Sequence, residues 1–194
     1  MTPREDAEQI LQEALAAALP DTAVKKALEG VRFGSGKLVL VAVGKAAWQM
    51  ASAAYSTERL QFDGGVVITK YGYAKGPIGE LSIREAGHPV PDENTFSATE
   101  EVIRVVSGLA PEDTVLFLLS GGGSALFEKP LIPKEELYAL TDRLLACGAD
   151  ITEMNTVRKR LSAVKGGRFA QICAPAHVFS IVLSDIIGDP LDMI

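Results

Sequence analysis

The chain has 194 residues, with 19 Lys+Arg against 25 Asp+Glu for a formal charge of −6 and a sequence pI near 5.0. At 47% hydrophobic and 23% charged it is too apolar for disorder, and it has no apolar run near the roughly 20 residues that a membrane-spanning helix needs. An acidic chain without a Lys/Arg stripe lacks the electrostatic footprint of phosphate-backbone binding, which argues against nucleic acid as a partner. The length fits one large domain or one lobe of a larger enzyme. Cys147 and Cys173 lie far apart and have no CxxC partner, and the leading MTPREDAEQILQEALAAALP is acidic where a signal peptide has a basic flank. A cytoplasmic setting is expected.

Ala7, Ile10, Leu11, Ala14, Leu15 and Ala18 recur at helical steps, with Thr2 placed as N-cap and Pro3 at the first helical position, so an amphipathic helix is expected from Pro3 to Leu19. A short helix follows from Asp21 to Leu28. Leu38 to Val43 is a continuous apolar, valine-rich run, the mark of a strand buried on both faces of a parallel sheet. Gly44-Lys45-Ala46-Ala47 then turns the chain into a helix reaching about Leu60. Further strands are expected at Gly65–Thr69, Leu81–Glu85, Thr114–Leu119 and Val178–Ser184. Helices are expected at Asn94–Gly108, Lys134–Cys147, Ile151–Val164 and Lys165–Ile172. Strands separated by helices predict an α/β three-layer sandwich, a Rossmann-like, mostly parallel sheet with helices on both faces. The chain stops at Ile194 just beyond a polar loop at a strand's carboxyl end, where such sheets place ligands, so a truncated piece of a longer protein is expected.

Four segments could carry chemistry. Lys45 opens a helix after a buried strand, where backbone N–H groups already favour a carboxylate or phosphate; the alternative is a solvent-facing first-turn lysine. A Walker A loop is excluded by Val39 and Ala46. Ser120-Gly121-Gly122-Gly123-Ser124 allows backbone to approach an anion closely, with a hydroxyl at each end; Leu126 excludes both GxSxG and GxGxxG there. Arg158, Ser162 and Lys165 fall on one helical face that Asn155 extends, a fork of cations for an anion or else a solvated basic face. Asp185 and Asp189 stand beyond the last strand as magnesium ligands, as a base, or as ordinary loop caps. His88, one of two histidines, sits in the proline-containing loop Gly87–Asn94 and reads more readily as structural than catalytic. The spacing of a structural zinc site is absent.

Taken together, VAVGKAAWQMA, VITKYG, EAGHPVPDENT, LLSGGGSALFEKP, MNTVRKRLSAVKGGRFA and VLSDIIGDP resemble, in order and spacing, the glycerate 2-kinase family. In that family a Rossmann-like N-terminal domain precedes a smaller MOFRL domain, with the active site in the cleft between them. The resemblance therefore implies that residues 1–194 are most of the first domain and that the MOFRL domain is absent. It implies phosphoryl transfer from ATP, with Mg²⁺, to the 2-hydroxyl of D-glycerate, with a homodimer as a candidate assembly. By the same resemblance Lys45 would meet substrate or phosphate charge, Ser120, Gly121, Gly122, Gly123 and Ser124 would cradle an anion, and Asn155, Arg158 and Lys165 would form a second clamp. Asp189 would serve as metal ligand or base and Asp185 as metal ligand. Two rivals stand beside this reading: an NAD(P)-dependent hydroxypyruvate reductase, disfavoured by the lack of GxGxxG after a strand, and a non-catalytic sugar- or phosphate-binding domain.

Overall fold

The computed structural model describes residues 2–184 and 188. Five strands form one sheet: β1 (Leu38–Val43), β2 (Gly64–Lys70), β3 (Ser82–Ala86), β4 (Thr114–Ser120) and β5 (His177–Leu183). Their order is β3-β2-β1-β4-β5 and every neighbouring pair is parallel. β1, flanked by strands and covered by helices, is buried at all its positions, as its unbroken apolar run requires.

Two cores lie on opposite faces. On one, α2 (Pro20–Leu28) and α3 (Ala47–Tyr55) cover Leu40, Ala42, Val67, Leu116 and Leu118. The small residues Ala47, Ala51 and Ala54 let α3 approach the sheet closely, and each fully buried leucine there contributes about 1.5–3 kcal/mol. On the other face, α4 (Glu93–Val106), α5 (Gly123–Leu126) and α8 (Arg168–Cys173) cover Val41, Val43, Val66, Ile68 and Val115. The three-layer α/β architecture expected from the strand–helix alternation is the one observed.

Several element ends differ from expectation for local reasons. α3 stops at Tyr55, where the Ser56 and Thr57 hydroxyls donate back to the Ala53 carbonyl and favour a turn. α5 was not expected; its N-cap is Gly122 at φ +87°. α6 (Lys134–Ala146) forms as expected, whereas α7 (Ile151–Arg160) ends before Val164. Beyond it Ser162 bridges Pro130, and backbone bonds run from Leu131 N–H to Leu161 O and from Ala163 N–H to Lys129 O. Residues Gly166 and Gly167, both at positive φ, then delay α8 to Arg168. α1 (Pro3–Ala18) has its capping box at Thr2 and Glu5, yet buries no residue, and Ile10, Leu11 and Leu15 are 68%, 59% and 60% exposed.

Candidate functional site at the switch of strand order

The chain builds the sheet outward from β1 to β3, then restarts on the other side with β4. The carboxyl ends of β1 and β4 are therefore adjacent and their following loops diverge, which opens a crevice between them. Gly44 and Ser120 touch across it: a Cβ on Gly44 would fall 2.2 Å from Ser120 Oγ and 2.5 Å from its carbonyl oxygen, so only glycine fits. The Ser120 hydroxyl accepts from Ala46 N–H at 3.0 Å and donates to Val43 O at 3.5 Å, and Lys45 N–H donates to Gly121 O at 2.9 Å. Ser120, 5% exposed, thus ties the two loops together with its own hydroxyl. Lys45 is exposed at the mouth of the crevice and Ser124 is exposed at the start of α5.

The glycine loop has a neighbour on each side. Toward β1, a methyl on Gly122 would lie 2.9 Å from both Cδ2 and Nε2 of His88 and 3.2 Å from Lys45 Cγ, so the imidazole edge, the lysine stem and the loop meet at one point. Burial, then the charges of Lys45 and Lys70, push the His88 pKa below its ordinary 6.5. Toward β5, the same loop walls a cavity of about 490 Å³ that Asn155, Arg158, Lys165, Gly166 and Gly167 also line. The cavity's inner wall is apolar and includes Phe117, Phe127 and Phe169, whose rings pack at centroid distances of 4.9 to 6.0 Å.

The single helical face expected for Asn155, Arg158, Ser162 and Lys165 does not form, because α7 ends at Arg160. Ser162 is buried at the bridge to Pro130, while Lys165 reaches the cavity from the turn before α8. Arg158 Nη2 donates to Ser124 O at 3.4 Å, linking α7 to the glycine loop. Lys165 Nζ donates to Phe127 O at 2.9 Å and pairs with the Glu128 carboxylate, the two side chains being 14% and 2% exposed. Burial holds the Lys165 pKa below that of a free lysine, against the pull of Glu128. The other carboxylate oxygen, Glu128 Oε1, is buried with no partner among the described residues.

The fold therefore brings Lys45 to one side of the Ser120–Ser124 loop and gathers Asn155, Arg158 and Lys165 on the other. Asp185 and Asp189 lie outside the described residues. Glu128 and the three phenylalanines escaped the sequence reading. An acid directly after the apolar Ala125-Leu126-Phe127 was the available signal for Glu128, since a carboxylate in such a run needs a buried partner.

A parallel sheet wound in both directions from β1, with a glycine-rich crevice at its switch of strand order, defines a doubly wound α/β domain. Residues 6–194 match the family model described as a domain of unknown function, DUF4147, and the chain belongs to that family. It is 54% identical over 188 residues to the D-glycerate 2-kinase of Thermotoga maritima, covering 96% of this chain and 45% of that protein. It is 42% identical over 189 residues to a putative hydroxypyruvate reductase of Agrobacterium vitis, covering 96% of this chain and 42% of that one. The crystal structure of the Thermotoga maritima glycerate kinase superposes with a TM-score of 0.90 over 97% of this chain and 45% of that chain. The chain thus spans somewhat less than half the length of these relatives.

Proposed function

We propose that the chain is the N-terminal, Rossmann-like domain of a cytoplasmic two-domain glycerate 2-kinase, which transfers the γ-phosphoryl group of ATP to the 2-hydroxyl of D-glycerate. The observation that carries this reading is the position of the Ser120–Ser124 loop. It is a shared wall, with an exposed lysine and a histidine on one side and a cation-rimmed, aromatic-walled cavity on the other. Phosphoryl transfer asks a protein for positioning and for positive charge and N–H donors around the moving group, which these two half-sites supply.

The cavity fits a nucleotide. Its apolar wall suits a base, and Arg158, Asn155 and the two glycine turns at Gly121–Gly123 and Gly166–Gly167 surround the region where phosphates would lie. A bound ATP supplies the phosphoryl group. Lys45 on the opposite side holds the carboxylate of the acceptor, and a hydroxyl on the adjacent carbon is then nearer the loop than the terminal one. Lys165 is already neutralised by Glu128, so it braces the Phe127–Glu128 backbone and contributes less charge to a phosphate than Arg158 does. Among the described residues no group of three His, Cys, Asp or Glu could hold a magnesium ion. A family role for Asp185 and Asp189 as metal ligands, and for Asp189 alternatively as base, belongs to the resemblance alone.

Phosphorus NMR of the product made from D-glycerate and ATP by the two-domain enzyme tests the assignment. A secondary ester, the 2-phosphate, is expected; a primary ester would overturn the regiochemistry. Lys45→Ala, which releases the acceptor carboxylate and lets the hydroxyl move out of line, should lower kcat/KM for D-glycerate about 10²-fold, the scale for lost positioning, with thermal unfolding little changed because the side chain is exposed. Oxidation of NADH by hydroxypyruvate, followed at 340 nm, would instead favour the activity named for the Agrobacterium vitis relative.

A further inference from the structure

We propose that His88 is a catalytic residue of this site, the base that receives the proton of the acceptor hydroxyl while Lys45 beside it holds the acceptor's carboxylate. The inference rests on the phosphotransferase reading and adds to it a role that neither the family resemblance nor the two half-sites assigned.

Placement is the first argument. His88 follows β3 and lies two strands away from Lys45 in the sheet, yet its ring edge, including Nε2, meets Gly122 where the lysine stem does. The imidazole edge and the lysine stem thus meet against the glycine loop, and the lysine charge is near enough to act on the ring. A hydroxy acid anchored through its carboxylate would place the hydroxyl of the next carbon between them. The other histidine, His177, opens β5 at the opposite, amino edge of the sheet.

Rigidity is the second. The Gly87–Asp92 loop is folded on itself so tightly that a Cβ on Gly87 would sit 2.5 Å from Val90 O. The Asp92 carboxylate accepts from Gly87 N–H, from Thr95 N–H at 2.9 Å and from Tyr71 Oη at 2.7 Å, and Asn94 Nδ2 donates to Tyr71 Oη at 2.7 Å. Asp92 in turn caps α4, so the loop that carries His88 is pinned to a helix and to the end of β2. A base must be held in position to be effective, and this one is.

Protonation state is the third. The charges facing the ring from the neighbouring strand ends are Lys45 after β1 and Lys70 at the end of β2, both cationic, and Asp92 on its own loop is engaged by the bonds just described. Burial and the two lysines therefore keep the imidazole neutral at pH 7, with a nitrogen lone pair able to accept a proton. In the step itself the substrate O–H bond breaks and its proton passes to His88. The hydroxyl oxygen bonds to the γ-phosphorus of a nucleoside triphosphate, and the bond to the bridging oxygen breaks, leaving with its electron pair on the diphosphate. The imidazolium then returns its proton to solvent.

The test uses the two-domain enzyme, with His88→Asn, which keeps a polar edge but cannot take a proton at neutral pH, and His88→Ala. Expected are a fall in kcat of about 10²–10⁴-fold, the usual range for loss of an acid–base group, and KM values for D-glycerate and ATP that stay close to wild type. The acid limb of the kcat profile should vanish in both variants, and added imidazole should restore activity to His88→Ala. A kcat within about tenfold of wild type, or an acid limb that persists, overturns the proposal. Should both variants fail to fold, imidazole NMR of the wild type decides: the His88 pKa of the free enzyme must match the acid limb of kcat/KM for D-glycerate, and a mismatch overturns the proposal. A wild-type enzyme that makes no phosphoglycerate overturns both this inference and the function on which it rests, whereas an active wild type with active variants overturns this inference alone.

Discussion

Glu128, 1% exposed, is a charged group among apolar neighbours, and its only ionic contact among the described residues is the largely buried ammonium of Lys165. Such a pair returns little net stability, because the desolvation of two ions is set against their attraction, yet losing one partner strands the other in a poor solvent. Glu128→Gln or Lys165→Met alone should therefore destabilise the protein by about 3–5 kcal/mol. The double variant should recover most of that loss. Urea denaturation of the four proteins gives the coupling directly. Additive single effects would show that the two side chains do not depend on each other, and that Lys165 is available to a phosphate after all.

The loop leading into α4 shows what an element contributes to a site it does not line. Asp92 is drawn upward by partial burial, but hydrogen bonds from Tyr71, Thr95 and Gly87 outweigh this and hold its carboxyl below the ordinary 3.8. Because the folded-state pKa is the lower one, the stabilisation is fully present above pH 3.8 and is lost as pH falls through the folded value. Asp92→Ala should cost about 0.5–2 kcal/mol at pH 7, as for other lost N-caps, and should flatten the acid end of the stability curve. If His88 depends on this loop, the same variant should lower kcat although the groups nearest Gly122 are His88 and Lys45, not Asp92. An acid-unfolding midpoint identical to wild type would refute the Asp92 account. His88 acts in the same direction in a higher pH window: its depressed pKa means that the unfolded chain takes up the proton first, so stability falls as pH drops from 6.5 toward the folded value.

At the scale of elements, the strands were the most legible in the sequence. Continuous apolar runs such as Leu38–Val43 have one stable disposition in an α/β fold, and they put Lys45 and the Ser120–Ser124 loop beyond the carboxyl ends of β1 and β4, where the sequence pattern predicts them. The C-terminal basic segment was read less well. Helical periodicity continues through Ser162 and Lys165, but tertiary pairing with Lys129, Pro130 and Leu131 draws residues 161–163 out of the helix, and no local pattern announces a contact with residues some thirty positions away. The surroundings of His88 were hidden for the same reason. Its neighbours Gly122 and Lys45 are brought to it by the fold from two other strands.

For the whole molecule, the decisive feature is the reversal of strand order at β1, which places the two halves of the proposed reaction on either side of one glycine loop. The two half-sites are open: Lys45 and Ser124 are exposed, and the cavity is bounded along β5 by residues such as Val182, which is 41% exposed. The chain also covers only 45% of the Thermotoga maritima kinase it resembles. A crevice open on one side leaves phosphate charge in water, where the same cations act with far less effect than in a dry, enclosed site. The 194-residue chain by itself is therefore expected to bind ATP at least about 100-fold more weakly than the two-domain enzyme, equivalent to roughly 2.7 kcal/mol of missing contacts, and to turn over negligibly. Calorimetric titration of both proteins with ATP, alongside a coupled assay for ADP release in the presence of D-glycerate, measures the two quantities. Robust turnover by the chain alone would mean that Lys45, His88 and the glycine loop already form a complete site, and the second domain would then have to be assigned another purpose.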